Sequence, residues 1–124
     1  MNFIAVTNNT AFVEKYKNEF DVAFHDVDLR SILVIVRDLV HDGHIILTHP
    51  LSGSVKPKET PLKTVFITKK KGSLDTDSLV LIENAIITCD KFIDRKISYE
   101  RALEDFQLID MSLAESALPG LMSF

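Results

Sequence analysis

Residues 48–61, THPLSGSVKPKETP, concentrate side chains that can bind or react with a small molecule. The SGS run at residues 52–54 supplies consecutive backbone N–H groups, two hydroxyls and a glycine that is free to adopt positive φ. Lys56 adds a compact positive charge nearby. The prolines of the segment lower the entropy cost of holding one loop shape. This composition predicts an anion-binding loop. The alternative is a purely structural turn, since Ser-Gly-Ser is common in ordinary turns.

His49 is the best candidate for a catalytic residue. It precedes Pro50 at the end of a predicted strand, so its backbone is restricted. A neutral imidazole at this place can donate to a ligand oxygen or act as a general acid or base. The alternative is a ring that bonds to neighbouring backbone. A nucleophilic Ser52 or Ser54 with His49 as its base is disfavoured, because the chain has no strand-turn-helix nucleophile elbow.

Thr7, Asn8 and Asn9 form a second polar segment, directly after the first predicted strand. The asparagine amides offer donors and acceptors to a cleft. The alternative is that Asn9 or Thr10 caps the helix that follows. The predicted ligand-binding residues are therefore Thr7, Asn8, Asn9, Thr48, His49, Ser52, Gly53, Ser54 and Lys56.

The sequence has no pattern typical of a metal site, a bound cofactor or a redox pair. His41 and His44 bracket Gly43 at the end of a predicted helix, so they do not form a helical metal pair. We therefore predict no metal ion and no cofactor. The single cysteine, Cys89, excludes an intrachain disulfide and a dithiol pair. It falls on an apolar helical stripe, where a small buried hydrophobe is expected.

Hydrophobic periodicity predicts the strands and helices that position these segments. Strands are predicted at residues 2–7, 20–24, 44–48 and 63–68. Helices are predicted from Asn9 or Thr10 to about residue 18, from an Asp28 cap to Asp42 and Gly43, from Asp75 or Asp77, and from Ser98 onward. The last helix is expected to pack through Ala102, Leu103, Phe106, Ile109 and Leu113.

This order predicts a single α/β domain over residues 1–124. We expect a three-layer, Rossmann-like or flavodoxin-like domain with about four mostly parallel strands, helices on both faces and a helical C-terminus. The simplest right-handed winding places the first strand between the second and the third. Ligands bind at such a switch point, beyond the carboxyl ends of the strands. Residues 7–9 and 48–56 are then expected to meet there as two walls of one pocket. The direction of the fourth strand stays open.

Composition restricts the class of protein. With 46% hydrophobic and 26% charged residues and a net charge of -4, the chain is typical of a soluble globular protein and not of a nucleic-acid-binding one. Lys69, Lys70 and Lys71 form a lysine run that is typical of a solvated strand end. The longest apolar run, residues 32–36, is too short to cross a bilayer, and we see no secretory signal. We predict a cytoplasmic protein that binds neither nucleic acid nor membrane.

Two regions carry more apolar side chains than one packed face requires. Val80, Leu81 and Ile87 widen the apolar stripe of the long third helix, and the C-terminal tail ALPGLMSF is apolar for a free end. Surplus apolar surface commonly marks an interface. It predicts a homodimer through the long helix or the tail, or a contact with another protein.

The segment RDLVHDGHIILTHPLSGSVKPKETP at residues 37–61, together with IAVTNN and SLVLIENAI, resembles the GrdX family. These are small proteins encoded beside the glycine, sarcosine or betaine reductase systems of anaerobic amino-acid-fermenting bacteria. The resemblance covers most of the chain, and HPLSGSVKP is its most specific part. It implies a genomic setting more than an activity, and no catalytic residue can be carried over from it. Because those reductases use selenocysteine and thiols whereas Cys89 stands alone, the resemblance implies an accessory, regulatory or assembly role.

Three functions remain open at this point. The leading hypothesis is an accessory or regulatory protein of the reductase system that is not an enzyme. It would bind a small anionic ligand, such as an amino acid, phosphate or a nucleotide, through residues 7–9 and 48–56. The second hypothesis is an assembly factor that contacts reductase subunits and has no ligand of its own. The third is a small hydrolase or transferase that uses His49.

Overall fold

The computed structural model describes residues 2–51, 61–91 and 99–122, with side chains from Leu103 onward in the last range. Its elements are β1 (Phe3–Thr7), α1 (Thr10–Tyr16), β2 (Asp21–Phe24), α2 (Leu29–His41), β3 (Thr64–Thr68), α3 (Thr76–Lys91) and α4 (Tyr99–Met122). The predicted helices and the helical C-terminus are confirmed. So are the predicted strands that correspond to β1, β2 and β3.

The sheet is mixed and not mostly parallel. Its order is β2-β1-β3, with β1 parallel to β2 and antiparallel to β3. The prediction of four mostly parallel strands, with residues 44–48 beside β1, is therefore wrong, because β3 occupies that place. Residues 44–48 lie on the far side of β3 and form one antiparallel bridge with it, between Ile46 and Ile67. This segment consequently runs in the same direction as β1, with β3 between them.

Side-chain hydroxyls explain why residues 44–48 form a bridge and not a full strand. The Ile45 N–H donates to Thr68 Oγ1 at 2.8 Å, and the Phe66 N–H donates to Thr48 Oγ1 at 3.0 Å. Each hydroxyl takes the place of a carbonyl acceptor of a regular ladder. The backbone donors are thus satisfied without continuous strand pairing.

Helices cover both faces of the sheet, as predicted. On one face α2 and α3 pack through a buried cluster that contains Val36, Ile82 and Val65 of β3. On the other face α1 and α4 pack through a second cluster, which contains Leu118 and Phe66 of β3. The alternating side chains of β3 thus join both halves of the core.

The predicted starts of α1, α2 and α3 and the predicted end of α2 are confirmed, whereas α1 ends at Tyr16, about two residues earlier than predicted. Asn9 caps α1, Asp28 caps α2 through the Ser31 N–H, and the Asp75 carboxylate accepts from a backbone N–H in the first turn of α3. Asp42 ends α2, and Gly43 follows it with a φ of 110°. Short polar side chains at these positions satisfy the free N–H groups of each first turn.

The buried stripe of α4 differs from the predicted one. From Leu103 onward, its buried residues are Phe106, Asp110, Ala114, Leu118 and Leu121, while Ala102, also predicted to pack, lies outside the described side chains. Leu103, which was predicted to pack, is 43% exposed. The helical spacing is as expected, but the stripe is rotated, so a carboxyl group faces the sheet. The burial of Leu118 and Leu121 means that part of the apolar tail packs inside this chain.

Candidate functional site

Polar side chains at the carboxyl end of β1 form a buried cluster around Asp110 of α4. Asp110 Oδ1 accepts from the Thr64 N–H at 2.9 Å. Its Oδ2 accepts from Thr64 Oγ1 at 2.7 Å and from Asn9 Nδ2 at 2.9 Å. Asn9 precedes α1 and Thr64 begins β3, so one carboxyl ties α4 to both elements. We call Thr7, Asn9, Lys63, Thr64 and Asp110 the Asp110 cluster.

A line of hydroxyls connects Asp110 to the end of β1. The hydroxyl oxygens of Thr64 and Thr7 are 2.8 Å apart, and the Asn9 N–H donates to Thr7 Oγ1 at 3.0 Å. Because the Thr64 hydroxyl donates to Asp110, its oxygen is free to accept from Thr7. Thr7 and Asn9 are both 0% exposed. Their side chains therefore hold the loop after β1 in place from inside the protein.

Burial shifts the pKa values of two groups in the Asp110 cluster. Burial raises the pKa of Asp110, and hydrogen bonds from Asn9 and Thr64 and the charge of Lys63 offset part of this rise. Burial lowers the pKa of Lys63, which is 6% exposed, and the charge of Asp110 offsets part of that change. Each residue thus reduces the cost of burying the charge of the other.

Asn8, between two members of the cluster, joins three chain segments. Its Nδ2 donates to the carbonyl oxygens of Val27 at 2.9 Å and Pro61 at 3.0 Å. Its Oδ1 accepts from the Lys63 N–H at 2.8 Å. The amide therefore links the loops after β1 and β2 to the segment before β3, and these bonds occupy both of its donor hydrogens.

The remaining predicted site residues lie on or beyond residues 44–51. Thr48 Oγ1 accepts from a β3 backbone N–H, as described above. His49 is exposed, and its Nδ1 accepts from the Leu51 N–H at 3.0 Å, which is the contact expected of the structural alternative for this ring. Residues Ser52, Gly53, Ser54 and Lys56 lie outside the described residues.

The register of the strands shows which of these residues share an edge of the sheet. Thr7 is paired with Thr64, and the Ile46–Ile67 bridge carries residues 44–48 toward the same edge. Since neighbouring strands are about 4.8 Å apart, Thr48 and Thr7 are separated by roughly 10 Å across β3. Thr7 and Thr48 thus lie near the same edge of the sheet, on opposite sides of β3, and do not touch.

A cleft of about 220 Å³ opens at this edge, next to the Asp110 cluster. We call it the strand-end cleft. It is lined by Asn8, Thr10, Asp26, Val27, Asp28, Pro61, Leu62, Leu103 and Gln107. The Gln107 side chain donates to Thr10 Oγ1 at 3.0 Å, and the backbone carbonyl oxygen of Gln107 accepts from the buried amide of Asn9. The Asp110 cluster therefore positions the helical wall of the cleft, while two aspartates give that cleft a negative rim.

Two other side chains that could react with or bind a ligand, those of Cys89 and His44, are buried. Cys89 is buried on the packed face of α3, and burial raises the pKa of its thiol, which disfavours the reactive thiolate. His44 is buried, and its Nδ1 lies 2.6 Å from the Thr68 carbonyl oxygen. Across residues 2–51, 61–91 and 99–122, no three His, Cys, Asp or Glu side chains are arranged to hold a metal ion. Within the same ranges no helix is long and apolar enough to cross a membrane.

Sequence reasoning missed Asp110, Lys63 and Thr64. One signal was available, because Asp110 stands four residues after Phe106 and four before Ala114, on a helical stripe that is otherwise apolar. A carboxyl at such a position is buried only where donors meet it. Those donors lie on β3 and before α1, and their proximity to α4 depends on long-range packing that a single sequence does not reveal.

Comparison with known proteins gives one result. A family model described as GrdX-like protein matches residues 4–119, which is nearly the whole chain. No curated protein and no solved structure gives a match. The matched range includes β3, the Asp110 cluster and most of β1 and α4. The chain therefore belongs to the GrdX-like protein family.

Proposed function

We propose that this protein is an accessory or regulatory component of a glycine, sarcosine or betaine reductase system, and that it binds a small ligand with an anionic group. Its family membership supports the first part of the proposal. The observation that carries the second part is the strand-end cleft, which opens beyond the carboxyl ends of the parallel strands β1 and β2. This is the edge at which α/β proteins commonly bind ligands. The protein itself catalyses no step in this proposal.

The charges around the cleft refine the class of ligand. Asp26 and Asp28 are exposed at its rim and disfavour a ligand that carries negative charge alone. A zwitterion fits better, with its cationic group toward these aspartates. Its anionic group is proposed to pair with Lys56, which precedes Pro61 of the cleft wall by five residues in the sequence. Amino acids such as glycine and sarcosine, and the related betaine, carry both charges within one small molecule.

Thermal unfolding in the presence of candidate ligands tests this proposal. We expect glycine, sarcosine or betaine to raise the midpoint of unfolding, whereas phosphate alone gives a smaller shift. A ligand at 100 times its Kd stabilises the folded state by about 2.7 kcal/mol. Asp26→Asn and Lys56→Ala are each expected to weaken binding by up to about fivefold, as for one exposed ion pair.

Asp38→Asn supplies the matched control for the binding experiment, because Asp38 is an exposed aspartate on α2 that does not line the strand-end cleft. It should bind the zwitterion as the unchanged protein does. Absence of any shift at millimolar concentrations of all ligands would contradict the proposal. A shift that survives both Asp26→Asn and Lys56→Ala would place the ligand elsewhere.

One observation favours a second function, an assembly factor that contacts reductase subunits. Val80 and Ile87 are 58% and 54% exposed and lie seven residues apart on α3, so they share one outer face of the helix. Large exposed apolar side chains on one helix face are typical of surfaces that bind another protein or a second copy of the chain.

Lysine substitutions on α3 test this second function. Val80→Lys combined with Ile87→Lys is expected to weaken a complex with reductase subunits, or a homodimer, by about 2 kcal/mol or more. The fold should persist, because both positions are exposed and lysine favours helix. Ser112→Lys, at an exposed position of α4, is the control. Light scattering and co-purification supply the readout, and a strict monomer that retains no subunit would contradict this function.

A further inference from the structure

A second cleft opens at the opposite edge of the sheet, beside the amino end of β1. Its volume is about 360 Å³, and it is lined by Asn2, Phe3, Leu47, Thr68, Lys69 and Lys70. We call it the lysine cleft. It shares no residue with the strand-end cleft, and the proposed function does not use it. It also contains two members of the lysine run that the sequence marks as a solvated strand end.

The floor of the lysine cleft is apolar and belongs to the core. Phe3 is 1% exposed and is paired with Thr68 across the antiparallel ladder, so both side chains lie on the face of the sheet that α4 covers. Leu47 packs against the same core cluster. An apolar group that enters the cleft would therefore rest on side chains that tertiary packing already holds in place.

The rim of the lysine cleft carries positive charge that nearby acids balance only in part. Lys69 Nζ lies 2.8 Å from Asp21 Oδ2, and Lys71, outside the cleft, lies 2.6 Å from Asp42 Oδ2. In the part of the chain that the structure describes, Lys70 forms no such ion pair. The two positive charges of Lys69 and Lys70 exceed the one negative charge of Asp21, so the mouth of the cleft carries a net positive charge.

The backbone of this rim is held by hydrogen bonds. The Lys69 N–H donates to the Asn2 carbonyl oxygen at 3.1 Å, and Thr68 Oγ1 donates to the Lys70 carbonyl oxygen at 3.0 Å. Because both lysines leave a fixed backbone, a ligand that pairs with Lys70 would have to order only that side chain. This lowers the entropy cost of binding.

We propose that the lysine cleft binds a monocarboxylate with an apolar body. The apolar body packs against Leu47, beside the buried Phe3, and the carboxylate pairs with the Lys70 ammonium. One unpaired lysine matches one negative charge, whereas a polyphosphate would need several basic groups. The apolar floor distinguishes this ligand from a simple inorganic anion, which gains nothing from contact with Leu47.

Calorimetric titration of the full chain with hexanoate tests the proposal, with hexanamide and acetate as matched probes. Hexanamide keeps the apolar body and loses the charge, while acetate keeps the charge and loses most of the body. We expect hexanoate to bind up to about fivefold more tightly than hexanamide, since an exposed ion pair contributes up to about that factor. We expect it to bind at least about fivefold more tightly than acetate, which buries less apolar surface. Lys70→Glu should weaken hexanoate binding about tenfold or more, because it replaces attraction by repulsion.

Lys91→Glu is the control variant, since it makes the same charge change at an exposed position at the end of α3. It should bind hexanoate as the unchanged protein does. Equal affinities for hexanoate and hexanamide, equal losses in the two lysine variants, or no heat with any probe at millimolar concentration would each overturn the proposal. Tighter binding of acetate than of hexanoate would also overturn it, because the apolar floor would then have no part in binding.

Discussion

Replacing Asp110 by alanine is expected to lower the free energy of unfolding by about 3 kcal/mol, because it leaves buried hydrogen-bond donors without their acceptor. The substitution leaves the Thr64 N–H and one hydrogen of the Asn9 amide without their acceptor inside the protein. It also removes the negative charge that favours the buried ammonium of Lys63. Urea unfolding followed by circular dichroism measures the loss.

Two variants show whether this loss arises from the buried cluster. Asp105→Ala changes an exposed aspartate of the same helix and should alter stability by less than about 0.5 kcal/mol. Asp110→Asn keeps the shape of the side chain and one carbonyl acceptor, so its loss should lie between those of the two alanine variants. Equal losses for Asp110→Ala and Asp105→Ala would contradict the role assigned to Asp110.

The raised pKa of Asp110 also sets the sign of a pH effect. A folded-state pKa above the unfolded value means that the folded protein binds this proton more tightly than the unfolded chain. The associated stability is complete below the unfolded pKa, about 3.9, and is lost as the pH rises through the folded value. Carboxyls with lowered pKa, such as Asp28 and Asp42, act in the opposite direction. The Asp110→Asn variant retains those other groups. Lowering the pH should therefore raise the free energy of unfolding of the unchanged protein relative to that of the variant.

The sequence allowed most elements of this fold to be predicted because their signals are local. The Asp28 cap and the end of α2 at Asp42 and Gly43 depend on residues within one turn of the helix. To predict the sheet order, one of two apolar segments, residues 44–48 or β3, had to be chosen as the neighbour of β1. Residues in both segments can pair with a strand, and the hydroxyls of Thr48 and Thr68 that reduce the first to a bridge are not distinctive in a sequence.

The candidate site was harder to predict than the fold, because its contacts join residues that lie far apart in the sequence. The polar segment at residues 7–9 was recognised, and the capping alternative for Asn9 describes its observed contacts. The acid that organises the segment lies about a hundred residues further along the chain, on α4. Helical periodicity places Asp110 on a stripe but does not reveal which strand end that stripe meets. A buried polar group of this kind becomes interpretable only when its partners are known.

Gly43 offers a second large effect, because two independent features at this position exclude a side chain. Its φ of 110° lies in the region that residues with a Cβ rarely adopt. A Cβ built on Gly43 would also clash with the carbonyl oxygen of Gly72 and lie 2.9 Å from the backbone nitrogen of Gly72. We therefore expect Gly43→Ala to lower the free energy of unfolding by about 3 kcal/mol or more, combining backbone strain with overpacking.

Alanine substitutions at two other glycines show whether the expected loss of stability is specific to Gly43. A Cβ on Gly72 meets nothing within 4 Å, so Gly72→Ala tests the opposite side of the same contact and should change stability by less than about 1 kcal/mol. Gly120→Ala, also with open space around its Cβ, should stabilise the end of α4 by about 0.5 kcal/mol through reduced backbone entropy. Chemical denaturation of the three variants measures the order. The Gly72 N–H donates to the Gly43 carbonyl oxygen at 2.9 Å, and we expect this bond to hold the two segments close together. If the Gly43→Ala and Gly72→Ala proteins are equally stable, the turn after α2 relaxes and this bond does not fix the approach of the two segments.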